Sequence, residues 1–147
     1  MKIEEEIKSR FRNEYHKAFV NLIYTEKSLN YQFIQLIKKY GLTEPQYNIL
    51  RILRGAHKAV SINYLKERML DKSSDVSRII DRLLNKGFVK REENPRDRRQ
   101  KNIAITDNGL TALAEMDSCE NKLDSLLKNL TAEEVSELNR LLDKIRE

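Results

Sequence analysis

Residues 71–101 read DKSSDVSRIIDRLLNKGFVKREENPRDRRQK. In the first half, Val76, Ile79, Ile80, Leu83 and Leu84 recur at the three/four spacing of an amphipathic helix. Small polar residues precede that pattern, so the helix is predicted to begin at Ser73 or Ser74. Lys86 falls in its last turn, where a cation suits the helix dipole, and Gly87 closes it. Phe88–Glu92 and Asn102–Thr106 are predicted to be short strands. Asn94-Pro95-Arg96-Asp97 between them has the chemistry of a hairpin tip. The order is therefore helix, strand, arginine-rich turn, strand.

Upstream, residues 3–40 carry apolar residues at helical spacing from Ile3 through Phe11, Leu22 and Phe33 to Tyr40. They predict one long helix, on the order of 55 Å at 1.5 Å per residue, ended by Gly41. Thr43 with Gln46 forms a capping box for a second helix, with Pro45 in the tolerated first turn. Gly55 stops that helix, and Ala59-Val60 can add a minor strand. Ser61 caps a short third helix with Ile62, Leu65 and Met69 inward. Asp71-Lys72-Ser73 is the turn into the fourth. Downstream, Thr106 caps a fifth helix carrying Leu110 through Leu127, with Gly109 an awkward residue in its first turn. Thr131 and Glu134 box a sixth, with Val135, Leu138, Leu142 and Ile145 inward.

The expected fold is mainly α, in the α+β sense: six helices with a two- to three-stranded wing. A winged helix-turn-helix lobe over 42–106 is flanked by helical segments 1–40 and 107–147. Those flanking helices hold more apolar surface than the middle can cover, which makes them the candidate dimerisation lobe.

Composition bounds the function. With 35% charged and 39% hydrophobic residues, the 147-residue chain is neither disordered nor membranous. Apolar residues never run more than three in a row, so no transmembrane or secretory segment is expected and the chain stays in the cytoplasm. The single cysteine, Cys119, excludes an internal disulfide and reads as a small, partly buried apolar residue. No phosphate loop, nucleophile elbow, paired carboxylates or metal motif is present, so no enzyme, metal site or cofactor is expected. His16 and His57 lie far apart in sequence, too few for a zinc site.

The net charge is +5, and its distribution is the informative part. Residues 86–101 hold seven basic side chains against three acidic ones, a net +4. A helix-turn-helix lays its second helix in the major groove of DNA. Outward positions of the fourth helix, Ser73, Ser74, Asp75, Ser77, Arg78 and Arg82, are therefore the candidate base and phosphate contacts. Taken alone, the same residues read as caps and as a solvated face, with Arg78 and Arg82 paired to Asp75 and Asp81. The wing shifts the balance. Arg96, Arg98, Arg99 and Lys101 cluster on a tip that can enter a minor groove. Asp97 among them makes sense if it pairs with Arg98 or Arg99 and fixes the guanidinium's direction.

From Leu42 to Thr106 the chain resembles the MarR family of bacterial winged-helix regulators. The resemblance rests on Leu42-Thr43-Glu44-Pro45-Gln46-Tyr47, Leu65-Lys66-Glu67-Arg68-Met69, Ser73-Ser74-Asp75-Val76-Ser77-Arg78, Asp81-Arg82-Leu83 and Lys86-Gly87. It extends through Asn94-Pro95-Arg96-Asp97-Arg98-Arg99-Gln100 to Ile105-Thr106 and Gly109. It implies one MarR-type domain over 1–147, and a nucleoid-associated homodimer joined through the first and last two helices. It also implies a pseudo-palindromic operator on double-stranded DNA, with helix 73–86 in the major groove and wing 93–102 in the minor groove. Repression is the implied role. The alternative is a winged-helix protein-interaction module that binds no DNA. Many members of the family release DNA on sensing a small phenolic or lipophilic ligand, an oxidant or a metal. The oxidant branch uses a cysteine near the start of the first helix, where this chain has none. A small aromatic or lipophilic effector would then meet Tyr15, His16, Phe19, Tyr47 and Arg51 in a crevice beside the winged helix; the same residues also read as core and interface packing.

Overall fold

The computed structural model describes residues 1–147. The fold is the mainly helical winged helix expected, with a finer division of the helices. It comprises eight α-helices and a two-stranded antiparallel sheet. Two compact units make up the chain, Met1–Leu36 and Ile37–Glu147.

In the first unit the expected single helix is two. α1 (Ile3–Ile7) ends at Lys8, whose φ of 49° is left-handed. α2 (Glu14–Lys38) restarts where the Asn13 Oδ1 accepts from the His16 N–H at 2.9 Å. Asn13 can satisfy an orphan amide only by standing outside the helix, so it caps rather than continues it. Lys17 Nζ meets Glu4 Oε1 at 2.6 Å, holding the Glu4 carboxyl below its ordinary pKa, and Tyr24 donates to Glu6 at 2.9 Å. Along α2, Tyr15, Phe19 and Tyr31 are 88%, 63% and 66% exposed, and Leu22, Ile23 and Ile34 are exposed beside them in sequence.

The second unit holds the core. Gly41, at φ +72°, turns the chain beyond α2 as predicted. α3 (Glu44–Ala56) opens on the expected capping box. Gln46 N–H donates to Thr43 Oγ1 at 3.4 Å, and Thr43 N–H donates to Gln46 Oε1 at 3.2 Å. That reciprocal pair explains how Gln46 is buried without an orphaned amide. Ser61 caps α4 (Ile62–Arg68), and α5 (Val76–Asn85) follows. Ile49, Leu50 and Leu53 of α3, Leu65 of α4, and Val76, Ile80 and Leu83 of α5 are almost wholly buried. Truncating one such side chain to alanine costs roughly 2–5 kcal/mol.

β1 (Val89–Asn94) and β2 (Asp97–Ile105) form the wing, with Val89 opposite Ile105 and Glu93 opposite Lys101. Both strands reach further toward the tip than predicted. Val60 adds a single bridge to Ile103, the minor strand expected at Ala59-Val60.

Thr106 caps α6 (Asp107–Met116) through the Gly109 N–H at 3.2 Å. The predicted fifth helix does not run to Leu127 unbroken. A 3-10 turn at Asp117–Cys119 separates α6 from α7 (Glu120–Ser125). α8 (Ala132–Ile145) opens on the Thr131–Glu134 box as predicted. Its expected inward residues are only half-buried, and Ile145 is exposed. Cys119 is buried with its Sγ 3.4 Å from the Tyr40 hydroxyl, a contact that raises the Tyr40 pKa. No helix is long and apolar enough to cross a membrane.

Candidate nucleic-acid interface

α4 and α5 are joined by residues 69–75, longer than the expected three-residue turn. α5 starts at Val76, not at Ser73 or Ser74, because Asp71 captures the serine first. Its Oδ1 accepts from the Ser73 hydroxyl at 2.6 Å and from the Ser73 N–H at 2.9 Å. Those two hydrogen bonds hold the Asp71 carboxyl below its ordinary pKa. Ser73 and Ser74 therefore belong to the turn, and Asp75 becomes the N-cap, accepting from the Arg78 N–H at 3.2 Å. Removing that cap in Asp75→Ala is expected to cost about 1 kcal/mol. The thermal midpoint should then fall by roughly 3 °C, read by calorimetry.

The capping changes what the arginines are free to do. Asp75 is spent on a backbone amide, and Asp81 pairs with Arg91 of β1 at 2.7 Å. Neither carboxylate binds the guanidinium of Arg78 or Arg82, so the paired-face reading fails at both. Ser77, Arg78 and Arg82 are exposed on α5, and Ser74 is half-buried before it. Thr43, Pro45 and Gln46 at the start of α3 border a cleft of about 360 Å³ with Asp75, Arg78 and Arg82.

The wing tip is shaped by two side-chain caps. Asn94 Oδ1 accepts from the Arg96 N–H, and Asp97 Oδ1 accepts from the Arg99 N–H, both at 2.9 Å. Asp97 thus orients Arg99 through its backbone, not through a guanidinium pair as expected. Arg96, Arg98 and Arg99 are exposed and have no carboxylate partner, whereas Lys101 meets Glu93 at 3.4 Å. The Arg91–Asp81 pair, missed in the sequence, ties the wing strand to α5. Its two members lie ten residues apart in different elements, so no local spacing rule shows it.

These positions put a polar-tipped helix and a basic hairpin on one winged-helix scaffold. The MarR family model matches residues 40–100. The regulator MgrA of Staphylococcus aureus is 34% identical over 111 residues, covering 76% of this chain and 74% of that protein. The chain belongs to the MarR family. The repressor IacR of Pseudomonas putida is 30% identical over 112 residues, or 76% of this chain and 66% of that protein. A cysteine-to-serine variant of MarR from E. coli, solved with operator DNA, superposes with a TM-score of 0.80 at 27% identity. The match covers 93% of this chain and 99% of that one. As a MarR-family protein, the chain is a DNA-binding transcriptional regulator.

The five residues expected to meet an effector are not equivalent. Tyr47 and Arg51 come together on α3, with Arg51 donating to the Tyr47 hydroxyl at 3.4 Å and pairing with Glu120. Burial works against the Arg51 charge, but Glu120 and Tyr47 outweigh it and raise the guanidinium pKa. His16 packs edge-on to Phe11, and its Nδ1 accepts from the Arg12 N–H at 3.2 Å. Tyr15 and Phe19 are exposed on α2.

Proposed function

We propose that the chain is a cytoplasmic homodimeric repressor that binds a pseudo-palindromic operator. α5 enters the major groove, with Arg78 clamping a base edge and Arg82 beside it. Ser73, Ser74 and Ser77 meet phosphates, and Asp75 positions Arg78. The wing enters the flanking minor groove with Arg96, Arg98 and Arg99, its tip held by Asp97 and its stem by Lys101. The observation that carries this reading is the five unpaired guanidiniums at Arg78, Arg82, Arg96, Arg98 and Arg99. Guanidinium groups matched to phosphate and to guanine edges are the usual currency of duplex recognition.

Dimerisation through segments 1–40 and 107–147 is supported within each unit by exposed apolar side chains. These are Tyr15, Phe19 and Tyr31 on α2, and Leu141 and Ile145 on α8. Apolar rows of this kind are covered by a partner more often than left in water. Release of the DNA by a small organic ligand is the regulatory half of the proposal.

Selection of bound duplexes from a random pool, followed by sequencing, tests the reading. An inverted repeat with half-site centres about 10 base pairs apart is expected. Enrichment of no sequence, or of one without two-fold symmetry, would overturn it.

A further inference from the structure

A cavity of about 560 Å³ opens on the second unit, away from α5 and the wing tip. Leu53 of α3, Ala59, Ala104 and Ile105 of β2 and Leu110 of α6 make its apolar lining. Arg54, His57, Lys58 and Lys90 stand around it with Glu92. We propose that this cavity binds an amphipathic organic monoanion. The apolar body lies on Leu53, Ala104 and Leu110, and the carboxylate meets Lys58 and His57.

Three observations assign that chemistry. The volume lies within the range of pockets that enclose small organic molecules, and the lining is mostly apolar with a few convergent polar groups. The charges around it are unequal in their commitments. Arg54 is held by Asp117 at 2.9 and 3.1 Å, and Lys90 by Glu92 at 3.3 Å. Lys58 has no carboxylate partner, so a cation without a counter-charge stands beside an apolar floor. Finally, His57 closes α3 at φ 55° and ψ 19°. Glycine is the ordinary occupant of that left-handed helix end, and an L side chain is disfavoured there. The disfavoured backbone places an imidazole at the cavity, the kind of local strain found at ligand sites.

Lys90, Glu92 and Ala104 belong to the wing strands, so an occupant bears on the root of the wing. That regulatory consequence rests on the DNA-binding reading; the site rests on its own geometry. Binding is therefore measured on the full chain without DNA, by titration calorimetry with naphthoate and with neutral naphthamide. Saturable binding of one naphthoate per chain is expected, with naphthamide at least tenfold weaker. Lys58→Ala should weaken naphthoate about tenfold. His57→Gly should weaken it about fivefold while leaving the thermal midpoint no lower than that of the parent chain. The glycine relieves the left-handed strain, so lost binding in that variant is not lost fold. Leu110→Glu, a change at an exposed position, should abolish binding by placing a carboxylate at the mouth. Absence of saturable naphthoate binding, or affinity unchanged in both Lys58→Ala and His57→Gly, would overturn the site whatever the chain does with DNA.

Discussion

Arg78→Ala is expected to cost about 1–3 kcal/mol of affinity for the selected duplex and to relax preference at one base position per half-site. The size of the effect follows from what Arg78 does in the free chain. Its backbone N–H is held by Asp75, and its guanidinium makes no ion pair. Alanine keeps the amide and the helix, since it is the best helix former. It removes only the outward fork. The loss should therefore fall on recognition and not on the fold, with a thermal midpoint close to that of the parent chain. Equal affinity for the duplex and its single-base variants, before and after the substitution, would show that Arg78 reads nothing.

Gly109→Ala is expected to be the most damaging single methyl group in the chain. A Cβ at that position would lie 2.3 Å from the Phe88 carbonyl oxygen and 2.7 Å from Ile105 Cγ1. The nearest atom is backbone, so it cannot rotate away. The same carbonyl accepts from the Thr106 N–H at 3.0 Å, and Thr106 Oγ1 donates to the Gly87 carbonyl at 2.6 Å. Pushing α6 outward would strain both bonds at the base of the wing. A destabilisation of about 3 kcal/mol follows, the upper end for overpacking, or roughly 10 °C in thermal midpoint. Gly55→Ala is the internal control. It lies within α3 with nothing within 4 Å of its added Cβ. Alanine there should stabilise by about 0.5–1 kcal/mol. Denaturant titration of the two variants measures both signs, and similar effects from the two would refute the packing argument.

Gly109 also shows where sequence patterns stop. Its place in a first turn is legible, and so is its cost to helix propensity. The reason for it is a close approach between elements, which no single-sequence spacing reveals. Local chemistry was legible throughout: the boxes at Thr43–Gln46 and Thr131–Glu134, the Thr106 cap and the glycine at Gly41 all act within four residues. The apolar face of α5 was legible for the same reason. The break between α1 and α2 was not, because Ile7, Phe11 and Tyr15 keep helical spacing across it. Three polar residues competed to start α5. Asp71 decided among them by engaging Ser73, leaving Asp75 as the cap. The candidate interface followed the same rule. The arginine-rich tip could be read directly. The freedom of Arg78 and Arg82 depended on Asp81 turning to Arg91, a contact between a helix and a strand.

Binding to the duplex recovered by selection, measured against salt for the parent chain and for Arg99→Ala, tests the interface most directly. For the parent, the logarithm of the association constant should fall linearly with the logarithm of salt, with a slope of about −0.9 per phosphate neutralised. Arg99→Ala should bind more weakly across all sequences, with a slope shallower by about 1. Unchanged affinity and unchanged slope would contradict the placement of the wing on DNA.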